Sequence, residues 1–188
     1  MGFLDAILGR SKPAKPNLDA LFAVPTAALT LESAAEMRPT GTGAVCFREM
    51  EGGPFARVKD DITNLLGGSE PEEFHDDYGY TWVVLRHDAG DVPGLVTNLH
   101  AVNSTLEGAG FGPSLLCSTV GFRGTDGQSL ALVYLYKRGS FYPFAPVAGA
   151  NRRRDSALEL QVRSLIEGDL NIESDVSRWF PVWGAPGL

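Results

Sequence analysis

The chain is expected to fold as an α+β domain of two layers, with helices packed on a largely antiparallel sheet and an N-terminal amphipathic arm in front. Three features of the sequence point there. Helical patterns are intermixed with strand-like runs that are rich in hairpin signals. Thr125-Asp126-Gly127 is one such signal, a turn leading into the next strand. The run from Leu130 to Tyr136 is apolar on both alternating faces, with Leu130, Leu132, Tyr134 and Tyr136 on one and Ala131, Val133 and Leu135 on the other. That is the pattern of a central strand covered on both sides.

Taken in order, Met1 to Arg10 places Phe3, Leu4, Ile7 and Leu8 on one helical face and turns Asp5 and Arg10 away from it. The segment is too short and too lightly charged for a signal peptide. It is either a short helix docked on the protein's own core or an interfacial helix whose neighbours Lys12 and Lys15 face anionic headgroups. Pro13 and Pro16 end it, and SKPAKPN is a semi-rigid linker. Residues 1–16 are therefore an arm and linker, and residues 17–188 a single α+β domain with an aromatic C-terminal tail.

In that domain, Leu18, Leu21 and Phe22 suggest a short helix stopping before Pro25. Ala27 to Leu31 and Gly43 to Arg48 read as strands. Phe55, Val58, Ile62, Leu65 and Leu66 keep helical spacing from Pro54 to Gly67-Gly68. Tyr80 to Arg86 is a β-branched and aromatic strand. Asp91 caps a helix opened by Val92-Pro93, with Leu95, Leu99, Val102 and Leu106 as its stripe and Gly108 and Gly110 at its end. Leu115 to Phe122 is a strand, and Lys137 to Ser140 a basic turn. Ser156 to Glu159 reads as a capping box before Leu158, Val162, Leu165 and Ile166.

The 188 residues, 44% hydrophobic and 21% charged, are those of an ordinary globular chain with a core large enough to stand unaided. A net charge of −7 and a pI near 4.9 argue against general nucleic-acid binding. Arg10, Lys12 and Lys15 against Asp5 alone give the first 16 residues +2, leaving −9 for the rest. A basic end on an acidic body favours contact with an anionic surface at that end. No apolar run approaches the roughly 20 residues of a spanning helix, so the chain is not expected to cross a membrane by itself. Cys46 and Cys117 sit in apolar segments and read as reduced core residues.

Catalytic patterns are thin. His75, His87 and His100 lack a second ligand at zinc spacing, and His100, off the apolar stripe of its helix, reads as exposed. His75-Asp76-Asp77 beside Glu72 and Glu73 reads as a solvated acidic loop before it reads as a cation site. Gly41-Thr-Gly43 and Asp126-Gly127 lack the context of a phosphate cradle, no serine lies in a GxSxG elbow, and neither cysteine has a histidine nearby. No catalytic residue, metal ligand or cofactor is expected. Two binding candidates remain. Arg152, Arg153 and Arg154 stand before a helix whose N-terminus is already partly positive, either as a solvated loop or as a site for an acidic partner or phosphate. In the tail, Pro181, Pro186 and the glycines bar regular structure, so Trp179 and Trp183 must be buried on the body or by a partner. Docking against the sheet that carries Tyr134 and Tyr136 is the expectation.

Four strings, MGFLDAILGRSKPAKPNLDALFAVP, GYTWVVLR with DVPGLVTNLHAVNSTLEGAGFGPSLLCS, LALVYLYKRGSFYPFAP and RWFPVWGAPGL, resemble the actinobacterial PspA-associated family PspAB from end to end. The resemblance implies an accessory protein of the phage-shock-type envelope stress response, cytoplasmic or peripheral at the inner membrane face. Its implied partners are the coiled-coil protein PspA or a membrane metalloprotease of the HtpX type. It implies no catalytic activity and supplies no site residues. An adaptor that binds a protein partner near the membrane is the reading, with an enzyme of unrecognised site or a direct membrane sensor as alternatives.

Overall fold

The computed structural model describes residues 16–48, 54–68, 71–149 and 152–188. The arm residues Phe3, Leu4, Ile7, Leu8, Lys12 and Lys15 lie outside them. The order is α1 (Val24–Ala35), β1 (Arg38–Arg48), α2 (Pro54–Leu65), β2 (Glu72–His75), β3 (Tyr80–Arg86), α3 (Val92–Leu106), β4 (Leu115–Arg123), β5 (Ser129–Leu135), β6 (Ser140–Phe144) and α4 (Ser156–Ile166). The six strands form one antiparallel sheet in the order β2-β3-β1-β4-β5-β6. The α+β class and the antiparallel sheet agree with the sequence expectation.

The beginning differs from it. Pro25 opens α1 instead of stopping a helix, because a proline in the first turn lacks only an N–H that would have no partner there anyway. Ala27 to Leu31 is consequently helix, not strand. A 3-10 turn, Leu18–Ala23, runs directly into α1, and together Leu18–Ala35 is long and apolar enough to cross a membrane by length and composition. Its Leu21, Val24, Ala27, Ala28 and Leu31 are buried in the core. Asn17 anchors the start, its N–H donating to the Tyr134 hydroxyl, which in turn donates to the Asn17 carbonyl at 2.8 Å.

Three further expectations are corrected. Glu72 to His75 is an edge strand and not a loop, since its backbone pairs with β3. The aromatic run Phe141 to Phe144 is the other outer strand, β6, which makes β5 second from the edge while β1 and β4 hold the centre. The cap of α4 is Asp155, whose carboxylate accepts from Leu158 N–H at 3.0 Å, and Ser156 is the first helical residue. Asp91 caps α3 as expected, accepting from Gly94 N–H.

The double-faced pattern of β5 is explained by two apolar clusters. Leu130, Leu132 and Tyr134 point to the helices, where they join Leu95, Leu99, Phe111, Val162 and Ile166. Ala131 and Val133 point the other way, with Ala44, Cys46, Trp82, Tyr142 and Phe144, under a C-terminal strap that contributes Trp179 and Ala185. Helices thus cover one face of the sheet, and residues 172–188 partly cover the other. The strap lies close where the sheet presents small side chains: a Cβ on Gly121 would sit 3.1 Å from the Gly187 carbonyl oxygen.

Candidate functional site

Where the strap leaves the sheet, a half-open groove of about 590 Å³ remains. Its floor follows one row of cross-strand partners: Trp82 opposite Cys46, Cys46 opposite Cys117, and Cys117 opposite Leu135. Directly opposed residues of antiparallel strands share a face, so this row presents itself to the strap side together. Tyr78 and Tyr80 stand on one flank, and Phe180, Pro181, Val182 and Trp183 of the strap on the other. Lys137, Arg138 and Arg178 gather at the β5–β6 end.

Each buried polar group at the walls is already engaged. Asp76 accepts from the N–H groups of Tyr78 and Tyr80 at 2.9 Å and from the Trp82 indole N–H at 3.0 Å, which fixes the β2–β3 turn and the indole together. The Tyr142 hydroxyl donates to the Phe180 carbonyl at 2.7 Å, and burial holds its phenol well above the ordinary range. Cys46 and Cys117 are free thiols side by side. The neighbouring Cys117 thiol, reinforced by burial, pushes Cys46 upward, so it stays protonated and is a poor nucleophile.

Glu173 holds the root of the strap. Its side chain is 2% exposed. It accepts from the Arg138 guanidinium, from Ser140 Oγ at 3.3 Å and from Asp175 N–H at 3.1 Å. Burial pushes its carboxyl up, but these donors outweigh burial and leave it below the ordinary value. The Glu173 carbonyl accepts the Trp179 indole N–H at 2.9 Å.

Of the residues singled out in the sequence, Trp179 is 3% exposed and stacks on Tyr142 with ring centroids 6.0 Å apart. Trp183 meets Phe144 edge-on at 4.9 Å and keeps some exposed surface. The tail therefore docks on the expected sheet but on its opposite face, since Tyr134 and Tyr136 look toward the helices. The arginine triplet divides. Arg154 is drawn inward, donating to Glu159 at 2.9 Å and to the Trp179 carbonyl, with its guanidinium over Phe144. Arg153 is exposed. Arg152 lies over the Tyr78 ring and shares a recess of about 180 Å³ with Asp76 and Asp77. Of the acidic segment and the arginines, Asp76, Asp77 and Arg152 converge on this recess; His75, Arg153 and Arg154 do not line it, and His75 Nδ1 instead faces Thr81 Oγ1 at 3.2 Å. His100 is only partly exposed, held by Asp19 and the Phe22 ring. His87 forms a chain with Asp91 and Asn98 at the start of α3, each contact 2.9 Å. Among the described residues, no three His, Cys, Asp or Glu side chains cluster as metal ligands.

Sequence reasoning missed the groove floor. Trp82, Cys46 and Cys117 read as core residues of three separate strands, and only the pairing register puts them in one row. No curated protein and no solved structure matches the chain. The family model for PspA associated protein B matches residues 1–187, essentially its full length. The chain belongs to the PspA associated protein B family.

Proposed function

We propose that the protein is a non-catalytic adaptor of a PspA-linked envelope stress response, binding a protein partner near the cytoplasmic face of the membrane. The observation that supports this is the lip of the groove. Tyr78 and Phe180 stand 50% and 60% exposed, and Val176 on the strap is 53% exposed. Exposed aromatic and aliphatic surface beside a recess is the kind of anchor ground that protein contacts use. Lys137, Arg138 and Arg178 beside it suit an acidic partner face on a protein that is itself acidic. The family name makes a PspA-type coiled-coil protein the first partner to try, and an HtpX-type membrane protease is the second.

The test is co-purification of each candidate partner with the full-length protein and with a Val176→Asp, Phe180→Asp double variant. Both positions are on the surface, so the double variant should fold. The adaptor reading expects capture of a partner by the wild type and loss of about tenfold or more in the variant. Capture of neither partner, or equal capture by both forms, would overturn it.

A further inference from the structure

We propose that the groove between the strap and the sheet binds a single-chain amphiphile with an anionic head, its hydrocarbon chain lying over Cys46 and Cys117 and its head beside Lys137. This goes beyond the adaptor reading and stands without it.

Size is the first reason. About 590 Å³ falls within the roughly 300–1,000 Å³ of small-ligand pockets. From Trp82 on β3 to Leu135 on β5 the floor crosses three strand spacings, roughly 14 Å at about 4.8 Å each. That is a trough and not a socket for one side chain.

The chemistry of the walls is the second. The Trp82 indole N–H is given to Asp76, both Asp76 oxygens are occupied, and the Tyr142 hydroxyl is given to Phe180. The floor strands pair with one another across the sheet except at a bulge at Leu116, whose carbonyl accepts from Tyr136 N–H at 3.1 Å. A peptide laid into this trough would bring N–H and C=O groups that find no partners, at a cost of about 1–3 kcal/mol each. A hydrocarbon chain brings none.

Charge supplies the third and sets the direction. Asp76 lies at the β2–β3 end, and Lys137, Arg138 and Arg178 lie at the β5–β6 end. Glu173 and Asp175 engage Arg138 and Arg178. Lys137 is exposed and has no partner among the described residues. An anionic head is therefore favoured at Lys137 and repelled at the far end.

The two floor thiols are the only cysteines of the chain, and Cys117, the more exposed of them at 7%, is the reporter of occupancy. The experiment measures 1:1 binding of palmitate and of a single-chain lysophosphatidate to the full-length protein below their micelle concentrations, alongside the rate of thiol modification by a soluble disulfide reagent. Monopalmitin serves as the uncharged counterpart, and an acidic amphipathic peptide as the competing occupant. Saturable binding of an anionic amphiphile that slows thiol modification is expected. Lys137→Glu should weaken it about tenfold while leaving monopalmitin unchanged. Preference between palmitate and lysophosphatidate separates a carboxylate from a phosphate head. Three results would each overturn the proposal: no saturable binding, binding that leaves thiol rates unaltered, or equal palmitate affinity in Lys137→Glu. Thiol protection by the peptide but by neither lipid would do so too. Phe180 lines the groove, so the partner capture is separated from these outcomes by the single variant Val176→Asp, which lies outside the groove: loss of partner capture in it with unchanged palmitate binding tells the two readings apart.

Discussion

Replacing Trp179 by alanine should remove much of the reason the strap stays on the sheet. The side chain is 3% exposed, and a buried tryptophan takes about 150–250 Å² out of water, worth roughly 4–6 kcal/mol at about 25 cal/mol per Å² as an upper estimate. The change also deletes the stack on Tyr142 and the indole donor to the Glu173 carbonyl. Tryptophan-to-alanine changes in cores cost about 3–5 kcal/mol, and we expect that range here, a large part of a typical stability of about 5–15 kcal/mol. Trp183, only partly buried, should cost less, about 1–2 kcal/mol. Urea unfolding followed by far-UV circular dichroism gives both values, with an unchanged slope showing that the same fold is being unfolded. Iodide quenching is an independent check, since Trp82 and Trp179 are both buried and Trp183 is the reachable fluorophore. An unmoved midpoint in Trp179→Ala, or equal costs for the two tryptophans, would refute the strap as a structural element.

Five other outcomes are expected. Glu173→Ala should cost about 2–3 kcal/mol by thermal or urea unfolding, because Arg138 and Ser140 lose their buried acceptor while Arg138 keeps part of its solvation. The folded-state pKa of Glu173 lies below its ordinary 4.5, as that of Asp91 lies below 3.8, so their stabilisation is complete above those values and is lost as pH falls below them. An acid titration of the wild type against Glu173→Ala should therefore converge below pH 4.5. Gly41→Ala should cost about 3 kcal/mol or more, since φ is +74° and a Cβ would meet the His87 carbonyl oxygen at 2.1 Å. Thr119→Val, which removes a buried hydroxyl without a partner, should raise the melting temperature and add about 1 kcal/mol. Deleting residues 1–16 should change stability by at most about 1 kcal/mol, because the body is tied down from Asn17 onward, and should abolish salt-sensitive sedimentation with anionic vesicles.

What could be read from the sequence was whatever is encoded locally. Asp91 with Val92-Pro93 writes a helix start in three residues, and β3 matches its β-branched and aromatic run residue for residue. The two faces of β5 were legible because period-two alternation needs no partner to be visible. Errors fell where one residue type serves two local roles. Pro25 can stop a helix or open one, and only the tertiary burial of Ala27, Ala28 and Leu31 decides for opening. Ser156 and Asp155 can each cap, and the helix starts after the one whose carboxylate reaches Leu158 N–H. Glu72 to His75 looked like a solvated loop because an edge strand with polar side chains carries little apolar signal, its pairing to β3 being a matter of backbone alone.

The groove is the feature that no local reading could supply, and its origin is topological. Trp82, Cys46, Cys117 and Leu135 come from four strands separated by helices and turns, and antiparallel register alone lines them up. At the other end of the same face stand Ala44, Gly121 and Ala131, and the strap comes closest over Gly121, where no side chain intervenes. The strap cannot follow both ends at one height. Held at its root by Glu173 and at its end over Gly121, it leaves the row of larger side chains partly uncovered, and the volume there is set by the difference in side-chain size along one sheet face. Filling the small end should therefore act on the large end: Gly121→Ala, whose Cβ would press on Thr40 Oγ1 at 2.8 Å and on the Gly187 carbonyl oxygen at 3.1 Å, is expected to loosen the strap and speed modification of Cys46 and Cys117 without touching either thiol.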